Sequence, residues 1–202
     1  MRLGDETVYE MLDNLNILLG VTGGIAAYKA VDLASRLTAA GGRVKTVMTE
    51  AACRLVGPKG FEAVTQSTVF TSMWSTPEEY QISHIALADW ADVVVVAPAT
   101  ANILGKIANG ICDDMLSTTL CACWPLVESG AVFLAPAMNT NMWLNPAVQH
   151  NVKMLQERGF QFIGPAEGRL ACGTEGIGRM SEPQEILEAI EKIASKSKKR
   201  EA

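Results

Sequence analysis

Three side chains with acid–base or hydrogen-bonding chemistry stand where a ligand site could form. His84 comes shortly before the apolar run at 93–97, and histidine is the side chain whose charge changes near neutral pH. Asn139 follows another apolar run, and a carboxamide there can donate to a carboxylate without adding charge. Cys172 lies in a glycine-rich stretch, and we predict that a mobile flap at 165–180 brings its thiol to a bound substrate. An ordinary histidine on a helix face remains the alternative for His84.

A glycine-rich turn, Gly20-Val-Thr-Gly-Gly-Ile25, follows a short apolar strand and opens a helical pattern. Backbone N–H groups in such a turn can hold a phosphate, and a plain tight turn is the alternative. The spacing differs from the Gly-x-Gly-x-x-Gly of dinucleotide sites. Glu50 lies where a dinucleotide fold places its ribose-binding acid, whereas Thr49 ends the second predicted strand and could donate to a mononucleotide phosphate. Phosphate binding is the favoured interpretation of this turn.

These residues are positioned by an alternation of apolar strands and amphipathic helices. The run at 93–97 is β-branched without polar alternation, as in a strand that helices cover on both faces. Its pairing is predicted to end at Pro98, and Thr100 follows at the carboxyl edge, where ligands bind in such sheets. The chain is therefore predicted to be α/β, with a single doubly wound parallel sheet, flavodoxin-like or Rossmann-like, and helices on both faces. A capping box, Ser181-Glu-Pro-Gln184, is predicted to open the last helix. The strands are expected at 17–20, 44–48, 93–97, 131–134 and, as the final one, 160–163.

Composition limits the classes of function. The 202 residues are 49% hydrophobic, enough for one domain, and the net charge of −5 argues against nucleic acid as a partner. No apolar run approaches the roughly 18 residues that a membrane span needs, so no membrane partner is predicted. We predict a polar leader at 1–14, the main domain at 15–195 and a basic tail at 196–202.

Five cysteines with scattered spacing indicate a reducing compartment. The N-terminal residues resemble neither a signal nor a transit peptide, so cytoplasmic residence is predicted. Only His84 and His150 could complete a metal site with these cysteines, and no metal is predicted. Four of the cysteines lie on helical patterns and are predicted to be core residues: Cys53, Cys112, Cys121 and Cys123.

Several stretches together resemble the flavin-containing cysteine decarboxylase family across residues 16–194. The Pro-Ala-Met-Asn and Ala-Cys-Gly pieces are quite specific in combination. The matching stretches are Gly20-Val-Thr-Gly-Gly-Ile-Ala-Ala-Tyr-Lys29, His84-Ile with Trp90-Ala-Asp92, Ala97-Pro-Ala-Thr-Ala-Asn102, Pro136-Ala-Met-Asn-Thr-Asn-Met-Trp143, and Ala171-Cys-Gly173 with Gly178-Arg-Met180.

The resemblance implies FMN as cofactor and a homotrimer, or a larger trimer-based oligomer, with the flavin site between subunits. It implies decarboxylation of 4′-phosphopantothenoylcysteine to 4′-phosphopantetheine in coenzyme A biosynthesis, through transient oxidation of the substrate to a thioaldehyde. By the same resemblance, His84 is a base or orients the substrate, Asn139 holds the substrate carboxylate, and Cys172 is the proton donor. Substrate contacts are also implied for Arg169 and Met180. Flavin contacts are implied for Gly23, Gly24, Thr49, Thr100, Ala101, Asn102 and Ala137.

Other functions remain as alternatives to this interpretation. A peptidyl-cysteine decarboxylase would share the fold, the flavin, His84 and Asn139, and would differ mainly in the flap. A non-catalytic flavin-binding regulatory protein would typically lose a catalytic residue or carry a long acidic tail. Family members are often fused to a ligase domain of similar size. Because this chain ends soon after its last predicted helix, we expect a stand-alone decarboxylase or an excised domain.

Overall fold

A computed structural model describes residues 12–74, 83–171 and 173–198, without the side chains of 83 and 193–198. Cys172, most of the predicted leader and the end of the predicted tail lie outside the described residues, and the predicted domain bounds stay predictions. Leu12 is buried in the core, and its N–H lies 3.3 Å from the carbonyl oxygen of Ala40. The last part of the predicted leader therefore packs on the domain.

Six parallel strands form the central sheet of the described chain. Their order across the sheet is β3-β2-β1-β4-β5-β6, so the winding reverses between the two central strands β1 and β4. With helices on both faces, this arrangement confirms the predicted doubly wound fold, whose ligand crevice lies at the reversal. The strands are β1 (Asn16–Val21), β2 (Arg43–Met48), β3 (Val69–Phe70), β4 (Val93–Ala99), β5 (Val132–Pro136) and β6 (Gln161–Phe162).

Two hydrophobic cores sandwich this sheet. Val93, Val95 and Ala97 of β4 belong to the first core, and the alternate residues Val94 and Val96 belong to the second. Because both faces are covered, the strand needs no polar positions, and this explains its uninterrupted apolar run. Helices α1 (Ala27–Ala39), α3 (Pro58–Thr65) and α10 (Pro183–Lys198) pack in the first core. Helices α4 (Ser83–Trp90), α5 (Ala101–Asn109), α6 (Met115–Ala122) and α9 (Pro146–Glu157) pack in the second, and α2 (Glu50–Cys53), α7 (Trp124–Glu128) and α8 (Thr140–Trp143) are short connecting helices.

The prediction that pairing of β4 ends at Pro98 is wrong by one residue. The ladder with β5 is irregular between Val96 and Ala99, and it resumes where Ala99 pairs with Pro136. A local irregularity of this kind lets a strand pass through a proline that has no N–H to donate. The carboxyl edge of β4 therefore begins at Thr100.

Two strands that the sequence did not predict follow the central sheet. They are β7 (Ala166–Arg169) and β8 (Glu175–Arg179), and they form an antiparallel hairpin within the predicted flap. Gly168 and Gly178 have φ angles of +143° and +140°, which glycine adopts more readily than other residues. The glycines that give this stretch the composition of a loop thus permit the backbone of a hairpin.

The predicted opening of the last helix is wrong in its residues. The N–H of Glu182 donates to the Glu185 side chain at 2.8 Å, so Glu182 and Glu185 take the places expected of Ser181 and Gln184. The helix begins at Pro183, whose missing N–H needs no partner at the first helical position. Thr49 caps the short helix α2, and its hydroxyl oxygen accepts from the N–H of Ala52 at 3.2 Å.

The prediction that four cysteines are core residues holds only for Cys123. Cys112 and Cys121 are exposed and Cys53 is half-buried, because Cys112 lies in the loop before α6 and Cys121 lies on the solvent side of that helix. Burial raises the pKa of the Cys123 thiol to about 12, which keeps it protonated at neutral pH. Among the described helices, none combines the length and the apolar character that a membrane crossing requires.

Candidate functional site

A cavity of about 570 Å³ opens at the carboxyl edge of the central sheet. Its walls come from the turn after β1, the start of α5, the loop after β5 and the β7–β8 hairpin. The sheet brings these segments together because parallel strands end at the same edge. Eight of the residues predicted for the site line this cavity: Gly23, Gly24, Thr100, Ala101, Ala137, Asn139, Arg169 and Met180.

The glycine-rich turn after β1 packs too closely for side chains. A Cβ atom on Gly23 would lie 2.4 Å from the Cβ of Ala51, and one on Gly24 would lie 3.3 Å from Cγ2 of Thr100. The turn is fixed by Thr22, which is 2% exposed, donates its hydroxyl to the Pro98 carbonyl at 2.6 Å and accepts from the Thr100 N–H at 3.2 Å. The backbone of the turn is thus held against the end of β4 with one side open to the cavity.

The first turn of α5 forms the next wall. Thr100 caps this helix, and its hydroxyl oxygen lies 3.5 Å from the N–H of Ile103. The remaining N–H groups of a first helical turn have no partner within the helix and carry a partial positive charge. Together with the glycine turn, they provide the backbone donors that a phosphate group requires.

Asn139 lies at the end of β5 with its side chain fixed as a helix cap. It caps α8, and its Oδ1 accepts from the N–H of Asn141 at 2.8 Å. Because the oxygen serves the cap, the orientation of the carboxamide is set, and the amide nitrogen is the donor end. A fixed neutral donor in this cavity suits recognition of a carboxylate.

The β7–β8 hairpin closes over the loop that carries Asn139. The N–H of Met138 donates to the carbonyl of Gly178 at 2.9 Å, and a Cβ on Gly178 would lie 2.2 Å from the Met138 carbonyl oxygen. Ala171 on the hairpin also lines the cavity. The residue after it, Cys172, lies outside the described residues, and its predicted role as a proton donor stays a prediction.

The described lining of the cavity carries positive charge and no carboxylate. Its ionisable cations are Lys29, Arg169 and Arg179. Glu182, which does not line the cavity, binds the Lys29 ammonium through both of its oxygens at 2.8 and 3.0 Å, and its Oε1 lies 3.6 Å from Nη2 of Arg179. The charge of the cavity therefore favours anionic ligands.

Three predicted residues do not line the cavity formed by the described part of their own chain. His84 lies in α4, whose Leu87 and Ala88 are buried in the second core. Thr49 caps α2 behind the glycine turn, and Asn102 is exposed on α5. The predicted roles of these three residues stay predictions. In the described residues no group of three or more His, Cys, Asp and Glu side chains lies close enough together to hold a metal ion.

The structure also adds residues that the sequence did not single out. Tyr28 and Lys29 belong to the matching stretch that begins at Gly20, and Arg179 belongs to the one that ends at Met180, so the resemblance was the available signal for them. Thr22 lies in that first stretch too, whereas Glu182 lies in none of the matching stretches. Their role comes from contacts with residues 76 and 153 positions away in the chain, which a local pattern cannot reveal.

Comparisons with known proteins agree with this geometry. The family profile described as Flavoprotein matches residues 5–195. The coenzyme A biosynthesis bifunctional protein CoaBC of Bacillus subtilis (strain 168) is 51% identical over 182 residues, which cover 90% of this chain and 44% of that protein. This chain thus spans less than half the length of that curated relative.

Two solved structures have the same fold. A PPC decarboxylase mutant complexed with pantothenoylaminoethenethiol is 35% identical with a TM-score of 0.79, and the match covers 88% of this chain and 96% of that one. The FMN binding protein AtHal3 is 35% identical with a TM-score of 0.76, and the match covers 88% of this chain and 95% of that one. By sequence and by fold, this chain belongs to the Flavoprotein family.

Proposed function

We propose that this protein is an FMN-dependent decarboxylase that converts 4′-phosphopantothenoylcysteine to 4′-phosphopantetheine in coenzyme A biosynthesis. The observation that carries the proposal is a cation-lined cavity in which a fixed amide donor, Asn139, lies beneath the hairpin whose two strands precede and follow Cys172 in the sequence. The substrate has a carboxylate and a phosphate, and both suit a cavity whose described lining carries no carboxylate. The similarity to a coenzyme A biosynthesis protein and to a PPC decarboxylase supports the same substrate.

FMN fits the donors at the edge of the sheet. The backbone of Gly23 and Gly24 and the first turn of α5, with Thr100 and Ala101, would hold its phosphate, and Ala137 would lie against it. We also propose that Thr49 and Asn102, which do not line the cavity of the described structure, contact FMN when it is bound. When bound, FMN would accept a hydride from the carbon that bears sulfur, so that a thiocarbonyl could receive the electrons of decarboxylation, and it would return the hydride to that carbon after protonation, which gives the thiol product with no net oxidation.

Side chains of the protein would bind the substrate carboxylate and donate the proton. Direct loss of carbon dioxide from a cysteine unit would leave a carbanion without stabilisation. Asn139 would bind the carboxylate and orient the bond that breaks, and Arg169 and Met180 would bound the substrate on the hairpin side. Cys172 would then protonate the enethiolate carbon that remains after carbon dioxide leaves.

We further propose a homotrimer, or a larger trimer-based assembly, in which His84 reaches the cavity of a neighbouring subunit. In its own chain His84 does not line the cavity that the described residues form. Around the cavity mouth, Ile25 and Tyr28 are 64% and 63% exposed, and Met142 is 49% exposed. Apolar side chains so exposed beside a ligand site are typical of a surface that a partner covers. The scattered cysteines favour the cytoplasm as the place of this activity.

The first test is the absorbance spectrum of the purified protein, followed by assay of carbon dioxide release from 4′-phosphopantothenoylcysteine. We expect flavin bands and turnover, and we expect Cys172→Ser to slow turnover by at least about 100-fold because a hydroxyl is a much weaker acid than a thiol. Cys112→Ser is the matched control, since Cys112 is exposed outside the cavity. A flavin-containing protein that ignores this substrate and decarboxylates a cysteine-terminated peptide would move the assignment to the peptide enzymes. A protein that binds no FMN would contradict the proposal.

The second test mixes two inactive variants, His84→Asn and Asn139→Asp, by co-expression in equal amounts. If each site takes His84 from one subunit and Asn139 from another, about one quarter of the sites in randomly mixed oligomers will hold both native residues. We therefore expect activity to return to roughly that fraction of the native level. If both residues of a site came from one chain, every site would carry one substitution and the mixture would stay inactive.

A further inference from the structure

Three charged residues at the cavity have no role in the chemistry described above. Glu182 joins Lys29 of α1 to Arg179 of β8, and it stands immediately before α10. The Lys29 side chain is only 15% exposed, whereas that of Glu182 is 45% exposed. We call Lys29, Arg179 and Glu182 the cation cluster. It ties the first helix to the hairpin at one wall of the cavity.

The cation cluster retains a net positive charge that faces the cavity. Two cations share one carboxylate, and Arg169, on the strand paired with β8, adds a further cation to the same lining. Both carboxylate oxygens of Glu182 hold the Lys29 ammonium, so the long lysine side chain is already ordered before a ligand arrives. Ordering a lysine in advance lowers the entropy cost of binding an anion. Arginine offers planar paired donors that match the oxygens of a phosphate.

The position of the cluster separates it from the flavin phosphate. Gly24 lies against Pro98 and Thr100, on the side where the glycine turn meets α5. The cluster instead joins α1 to β8 and the start of α10, and its Arg179 lies on the same hairpin as Arg169. The cavity thus has two groups of anion-binding donors, one of backbone N–H groups and one of side-chain cations.

We propose that the cation cluster binds the phosphate monoester of the substrate and selects the phosphorylated form over the unphosphorylated one. Lys29 and Arg179 contact the phosphate, and Glu182 is a positioning residue that acts through Lys29. This inference rests on the proposed decarboxylase function. The carboxylate end of the substrate stays with Asn139, so one molecule is held by its two charged ends.

The test compares two substrates, 4′-phosphopantothenoylcysteine and unphosphorylated pantothenoylcysteine, on native protein and on Lys29→Met. We expect Lys29→Met to lower kcat/KM for the phosphorylated substrate by about 10- to 100-fold, which is the usual loss when one hydrogen bond to a charged group is removed. For the unphosphorylated substrate we expect a change within about twofold. Arg36→Met is the matched control, because Arg36 lies on the same helix, pairs with Asp32 at 2.9 Å and does not line the cavity.

A second arm distinguishes the two sources of phosphate. The dissociation constants of FMN and riboflavin are measured on the same variants by fluorescence quenching, without any turnover. We expect Lys29→Met to leave the preference for FMN over riboflavin unchanged. A loss of that preference would assign Lys29 to the flavin phosphate and overturn the inference. Equal losses of kcat/KM for the phosphorylated and the unphosphorylated substrate would overturn it too. If the native protein decarboxylates neither substrate, the proposed function is wrong. If it decarboxylates its substrate and Lys29→Met leaves the preference between the two substrates unchanged, only the inference about the cation cluster is wrong.

Discussion

Replacement of Asn139 by aspartate is expected to lower kcat/KM for 4′-phosphopantothenoylcysteine by about two to three orders of magnitude while FMN stays bound. The change removes a hydrogen-bond donor and places a negative charge against the substrate carboxylate, and each 1.4 kcal/mol lost costs about tenfold. The fold should survive, because Asn139 caps α8 through Oδ1 and aspartate caps a helix equally well. The measurement is steady-state turnover, with the flavin spectrum and the melting temperature recorded on the same preparations.

The matched control for Asn139→Asp is Asn145→Asp. Asn145 caps α9 in the same way, with its Oδ1 accepting from the N–H of Ala147 at 2.9 Å, and it does not line the cavity. We expect native turnover from this control. Lower pH should partly restore the Asn139→Asp variant, since a protonated aspartic acid regains a donor and loses its charge. An equal loss of activity in both variants would attribute the effect to the helix caps and not to the carboxylate.

The frame of the site was predictable because it follows from local patterns. A strand covered on both faces has no polar positions, and the apolar run of β4 met that condition. Thr100 and Asn139 come directly after such runs, so their place at the carboxyl edge followed from the order of the elements. A local pattern in the sequence predicts the position of a side chain in the fold when that position depends on a single strand or helix.

The remainder of the site depends on contacts between distant segments. The Lys29–Glu182 pair spans 153 positions, and neither residue lies in a pattern that names the other. The hairpin escaped prediction because Gly168 and Gly178 occupy strand positions where a side chain would collide or strain the backbone. His84 shows a third limit. It does not line the cavity formed by the described part of its own chain, and the oligomer proposed to bring it to a neighbouring cavity was implied by the family resemblance and not by a local pattern.

The hairpin supplies the other large expected effect, through Gly178→Ala. The new Cβ would lie 2.2 Å from the Met138 carbonyl oxygen, and the φ of +140° is one that alanine rarely adopts. Both conditions oppose the bond between the Met138 N–H and the Gly178 carbonyl, so the hairpin should lift from the loop that carries Asn139. We expect a loss of about 100-fold in kcat/KM, because a small displacement of catalytic groups can cost that much.

The effect should be confined to the hairpin, because the flavin donors lie elsewhere. The glycine turn and α5 do not depend on the Met138–Gly178 bond, so FMN binding should be nearly native. Gly110→Ala is the control for backbone strain alone: Gly110 ends α5 with a φ of +67°, and its Cβ would meet nothing within 4 Å. That variant should lose about 1 kcal/mol of stability and keep its activity. If Gly178→Ala retained native turnover, closure of the hairpin over Asn139 would have no part in catalysis. If it lost FMN together with activity, the hairpin would serve the flavin and not the substrate.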